Sequence, residues 1–226
     1  MCYTAKASVT AWWILAMMSL FIWYRNERYD RALAVFIFVL GLIQLIEYGI
    51  HSGSDPNQSG RALFITLWLQ CLVLAIGVFI FINGSKDPDD ISVRENVIST
   101  IAGWNLFLFS IVFVIALIVS FSLNFSAAPG SSGHIEWYMN GKRFLGSFGW
   151  LYVLGIFGPL LLLLAFYGWS DISIAILILY GLLSAAYVVV NYPQEAFTSM
   201  WCYLSVGFAM LVWFLGIIPS CDKTTC

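Results

Sequence analysis

The sequence predicts an all-α integral membrane protein, a bundle of about seven transmembrane helices, and three observations predict it. Of 226 residues, 61% are apolar and only 10% carry a charge, against about a quarter charged in ordinary soluble domains. The apolar residues gather into runs of roughly 17–25, the length a helix needs to cross the hydrocarbon. None of the runs alternates with the period of two required of barrel strands that face lipid and lumen in turn.

The first span, 8–24, is followed by Arg25, Arg28 and Arg31. Its positive residues come after the apolar run and no small-x-small site precedes them, so it is expected to stay as an anchor and not to be cleaved as a signal. Spans 31–50 and 62–82 follow. The fourth, 97–123, is preceded by Ser92 and Glu95 in the S-x-x-E spacing of a capping box, which starts a helix there. The connection 124–143 holds Ala-Ala-Pro-Gly-Ser-Ser-Gly and reads as an irregular loop. In the fifth span, 144–169, Pro159 lies close to Gly155 and Gly158 and favours a kink. The sixth, 172–190, carries Gly181, Ser184 and Ala185, small residues that let helices approach. The seventh is 197–218. Connections are short, so 1–226 reads as one membrane domain without a separate soluble part.

Retaining the arginines after span one in the cytoplasm, as the positive-inside rule directs, puts the N-terminus outside and the C-terminus in the cytoplasm after seven crossings. Six basic residues then lie inside (Arg25, Arg28, Arg31, Lys86, Arg94, Lys223) and four outside (Lys6, Arg61, Lys142, Arg143). The sequons at Asn57 and Asn124 fall outside, and that at Asn83 inside.

Several functions are excluded. Net charge is -2, so no basic face exists to hold nucleic acid by its phosphates. Covalent retinal needs a lysine within a helix, whereas Lys6, Lys86, Lys142 and Lys223 sit in loops or tails. With only His51 and His134, a histidine-rich zinc site is excluded. Nucleotide-binding and serine-hydrolase patterns are absent, no span carries an arginine series, and the chain does not read as an enzyme.

Glu47 is the one acidic residue inside a span. Gln44, Glu47 and His51 are spaced i, i+3 and i+7 along one helix face. A charge at mid-membrane costs on the order of 2.5–3.5 kcal/mol, and Glu47 lies only about 6 Å of helix rise from His51. That face should point inward, where Glu47 either serves a site or bonds to neighbours and orders the bundle. Gln70 and Asn105 read as interhelical hydrogen-bonding amides, and Cys71 as a small apolar residue. Cys221 and Cys226 fall on the C-terminal tail. By helix parity, Cys2, Cys202, His134 and Trp137 belong to the same face as Glu47 and His51, where they either share one shallow cavity or stand apart.

Met1-Cys2 with Ser8, Gln44-Leu45-Ile46-Glu47, Gly133-His134-Ile135-Glu136-Trp137 and Ser199-Met200-Trp201-Cys202 resemble, in order and topology, motifs of an uncharacterised family of small polytopic membrane proteins. That family is known mainly from giant DNA viruses and some protists. The resemblance spans the chain and implies that the residues placed on one face are the family's shared signature, with no activity attached. Two positions depart from it: Ser132 stands where the family often has Cys before Gly-His, and Gln70-Cys71 where it often has Gln-Pro. If three thiols bind a metal in relatives, this chain has lost one ligand.

Three functions stay open on this reading. One is a transporter, channel or sensor in which Gln44, Glu47, His51 and Trp137 bind a proton, cation or small solute. The second is a metal-binding or thiol-redox factor using Cys2, His134 and Cys202, with a metal ion as its cofactor. The third is an accessory protein that assembles with partners or with its own copies. In each the lipid bilayer is the surrounding medium, and which membrane is left open. The topology predicts that single cysteines at positions 28 and 134, in a cysteine-free background, label from opposite sides of the membrane. Labelling from the same side would overturn the helix count.

Overall fold

A computed structural model describes residues 4–26, 30–84, 92–129, 135–143, 145–167, 172–191 and 197–215. In chain order the elements are α1 (Ala5–Arg25), α2 (Asp30–His51), α3 (Pro56–Gly84), α4 (Val93–Ser122), β1 (Phe125–Pro129), β2 (Ile135–Met139), β3 (Lys142–Arg143), α5 (Leu145–Tyr167), α6 (Ile172–Asn191) and α7 (Phe197–Leu215). The helices α1 to α4 are each long and apolar enough to cross a membrane.

Local chemistry explains the helix ends. The Thr4 hydroxyl caps α1 by accepting the Ala7 N–H at 3.2 Å. Asn26 closes the same helix in the left-handed region, φ 51°, a conformation asparagine tolerates. The start of α3 lies six residues before the apolar run that predicts it, because Asp55 accepts the N–H groups of Asn57 and Gln58 at 2.7 and 3.0 Å and Pro56 suits the first helical position. Both halves of the Ser92–Glu95 capping box form. In α5 the helix continues across Pro159.

Packed helices meet where side chains are small. The Ser19 hydroxyl of α1 donates to the Ala34 carbonyl of α2 at 2.7 Å. A Cβ on Gly77 of α3 would lie 2.6 Å from that of Ala32 in α2, and one on Gly155 of α5 would lie 2.5 Å from Cys71 Sγ of α3. Residues larger than glycine would force these helices apart. Packing of α1 on α7 closes the circuit, and α3 touches α2, α4 and α5. On α4, at the periphery, Val97, Ile101, Trp104, Leu108, Ile111, Ile115 and Ile118 are all exposed, a continuous apolar face that suits lipid and not water.

At the end of the bundle that holds the α1–α2 connection, two arginines reach across to helix C-termini. Arg25 makes a two-pronged pair with Asp30, Nε–Oδ2 2.7 Å and Nη2–Oδ1 2.8 Å, and also donates to the Trp213 and Val212 carbonyls at 2.6 and 3.3 Å. Arg94 donates to the Ala165 carbonyl at 2.5 Å. These carbonyls lie in the last turns of α7 and α5, where the helix supplies no partner and where positive charge is favoured.

The connection 124–143 corrects the expectation of an irregular loop, because it forms an antiparallel sheet of order β1-β2-β3. Its β2–β3 turn is Asn140-Gly141, with φ 50° and 74°, the left-handed pair of a two-residue hairpin turn.

Asp30 is buried and its partner Arg25 half-buried. Replacing one member strands the other, which costs about 3–5 kcal/mol for a buried pair. Arg25→Met is therefore expected to lower stability to denaturation in mixed micelles by about 3 kcal/mol, and Arg25→Met with Asp30→Leu to cost less than the single change. A double variant less stable than Arg25→Met would show that the pair does not hold this end.

Candidate functional site

The opposite end of the bundle contains the start of α1, the end of α2, the start of α3, the end of α4 and the small sheet. In α2 the i, i+3 spacing carries Gln44 and Glu47 on the buried face, where they are 1% and 0% exposed, and His51 follows at the helix end, half-buried. The same end of the bundle also carries small hydroxyls and indoles from other helices. Ser8 of α1 and Ser59 of α3 are buried. The Trp12 ring packs against α2 at Gly41, 3.6 Å from where a Cβ would stand, about one turn before Gln44.

The sheet seats on α3 and α2. A Cβ on Gly60 would lie 2.7 Å from the Ser126 backbone, so β1 approaches α3 as closely as glycine allows. Phe64 then stacks on Phe125, ring centroids 4.4 Å apart, and Trp68 meets Phe64 edge-on at 6.3 Å. Strand alternation does the rest: Phe125, Ala127, Ile135 and Trp137 share the buried face, with Trp137 directly opposite Ala127. Glu136 and Tyr138 fall on the other face, where the Tyr138 hydroxyl donates to the Glu136 carboxylate.

This end therefore holds a buried carboxylate and amide on α2 and, on other elements, a set of buried N–H groups. The indole nitrogens of Trp12, Trp68 and Trp137 and Nε of Arg61 have no hydrogen-bond partner among the described residues. Chemically the carboxylate takes a proton or a cation, and the N–H groups take acceptor atoms of a solute.

Of the residues expected to form a site, Gln44, Glu47 and His51 share α2, and Trp137 lies on the buried face of the sheet that covers this end. Cys2 and His134 lie outside the described residues. Cys202 falls within the second turn of α7, and its side chain is also outside the described atoms. Among the described residues no group of three or more His, Cys, Asp or Glu is placed to hold a metal ion.

The amide of Gln70 accepts from the Tyr152 hydroxyl at 2.5 Å, an α3–α5 bond that gives this amide a structural role. Asn105 packs beside Gly158. Cys71 is fully buried between α3 and α5. Trp12, Trp68 and Arg61 were not distinguishable by sequence spacing from the many aromatic and interfacial residues here. Their lack of acceptors emerges only from packing.

No protein-family model, curated protein or solved structure matches the chain.

Close contact at Gly60 yields a specific expectation. Gly60→Ala puts a methyl into the Ser126 backbone, which cannot retreat without lifting β1 from α3. The variant is expected to leave helical content unchanged, while protease cleavage within 124–143 accelerates at least ten-fold. Unchanged cleavage would mean that the sheet is not held by this contact.

Proposed function

We propose that the chain is a seven-span integral membrane protein, N-terminus outside and C-terminus cytoplasmic, with a polar site at its N-terminal end that binds a proton, cation or small solute, as a transporter, channel or sensor does. Supporting the span count, α5, α6 and α7 have 23, 20 and 19 residues, lengths of about 29–35 Å at 1.5 Å per residue against a hydrocarbon core of about 30 Å. Arg25 and Arg94 at one end agree with the positive-inside rule.

The observation that carries the reading is Glu47: a carboxylate with no exposed surface, on a helix long and apolar enough to span a membrane. An ionisable group so placed is expensive, and such groups commonly mark ion or solute pathways. The buried donors on α1, α3 and β2 add polar atoms at the same end.

A second reading, a metal-binding or thiol-redox factor using Cys2, His134 and Cys202, draws support from the packing of α1 on α7. With Arg25 touching Trp213 at one end, the two helices run parallel, so their starts share the other end.

Trp12, Trp68 and Trp137 make the first reading measurable. Titrating the reconstituted protein with protons, sodium, potassium and calcium is expected to change tryptophan emission for at least one ion, and Glu47→Gln to abolish that change with helical content intact. A response identical in both proteins would remove Glu47 from the site. Metal analysis separates the second reading: stoichiometric metal lost in Cys202→Ser favours it, and metal below a tenth of an equivalent counts against it.

A further inference from the structure

On the flank of the bundle, the first turns of α1 and the middle of α7 leave a groove of about 380 Å³ between them, within the roughly 300–1,000 Å³ of small-molecule sites. Ala7 and Ala11, one turn apart, line it together with Ile14, and Val206 contributes from α7. Its hydroxyls are engaged locally: Thr4 Oγ1 accepts the Ala7 N–H at 3.2 Å, and Thr10 Oγ1 donates to the Lys6 carbonyl at 2.8 Å. Lys6, exposed, is the one charged residue in the lining and has no partner among the described residues.

We propose that this groove seats one acyl chain of an anionic phospholipid, with the lipid phosphate on Lys6. Length supports a single chain: from Thr4 to Ile14 the helix rises about 15 Å, half of a hydrocarbon core of about 30 Å, so the groove is one leaflet deep. Shape supports it too, since alanines at i and i+4 leave room for a chain to lie against the helix. The charge sits where a headgroup belongs, because Lys6 is at the edge of the span and its long stem can carry the ammonium to the interface. A free anion would find a single exposed lysine and little else, whereas a lipid also fills the apolar trough below it.

The inference rests on the membrane reading and not on the Glu47 site, so Glu47→Gln is expected to leave it untouched. The test is photolabelling of the full chain in phosphatidylcholine vesicles that contain a minor fraction of either phosphatidylglycerol or phosphatidylcholine with a diazirine in mid-chain. Labelling of residues 7–14 and Val206 is normalised to Ile111 and Ile115 on the exposed face of α4. The phosphatidylglycerol probe is expected to label the groove about five-fold more than the phosphatidylcholine probe, the factor corresponding to about 1 kcal/mol per lysine at an anionic surface.

Lys6→Gln should bring that ratio to about one. Ala11→Phe should remove groove labelling by both probes while α4 labelling persists, and Ala7→Leu, a milder filling, should reduce it several-fold. Equal labelling by the two probes in the wild type, or groove labelling that survives both filling variants in folded protein, would overturn the proposal. Loss of the preference in excess glycerol 3-phosphate would overturn it in favour of a simple anion site. A chain that stays out of the vesicles would overturn the membrane reading as well; insertion without preference would overturn this inference alone.

Discussion

Hydrocarbon offers no hydrogen bonds, so every polar group near a helix end must find its partner within the protein or at the interface. The two ends of this bundle meet that constraint differently. At one, Arg25 and Arg94 extend to the terminal carbonyls of α7 and α5, and Asp30 orients the first of them. Arg25 thereby ties the first two helices to the last, which is a condition for a closed bundle. At the other end Asp55 caps α3 through its own side chain, and a sheet covers the helix ends while satisfying much of its backbone through its own ladder.

Glu47 is fully buried only four residues from the end of α2, at the end of the bundle where β1 packs on α3 and α2. An uncovered carboxylate so near the interface would be hydrated and would cost little. Here it is buried with Gln44 on one face of α2, and the buried polar atoms of this end include indole N–H groups. Opposite faces of α1 separate this interior from the outer surface of the bundle: Ser8 and Leu15 are buried, while Lys6 and Thr10 are exposed and line the flank groove. One short stretch of helix thus buries Ser8 and Leu15 on one side and lines an amphipathic trough on the other.

Much of the helical architecture was legible in the sequence, because hydrophobic runs of transmembrane length and local stop and start signals are properties of neighbouring residues. The apolar runs mark the seven helices, Ser92 with Glu95 marks the start of α4, and the desolvation cost of Glu47 implies an inward face. The sheet was partly legible and was read as loop. Asn140-Gly141 is a strong hairpin signal, but β1, Phe125–Pro129, is short and contains two alanines and a proline, so its alternation is faint beside Ala-Ala-Pro-Gly-Ser-Ser-Gly. The arginine contacts were not legible at all. Arg25 and Trp213 are 188 residues apart, and basic residues after a span read equally well as topology determinants.

The central claim is that Glu47 is a buried carboxylate at the end of the bundle that carries the sheet, and chemical footprinting tests it most directly. In sealed vesicles, a water-soluble carbodiimide and an amine tag are added from the side bearing residues 4–6, and modification of Glu47 is compared with that of exposed Asp55 at the same end. The account predicts that Glu47 is modified at least a hundred-fold more slowly than Asp55 in the wild type, and that Trp137→Ala, which opens the buried face of the sheet, raises its rate at least ten-fold. Modification of Glu47 as fast as Asp55, in protein whose helical content is intact, would contradict it.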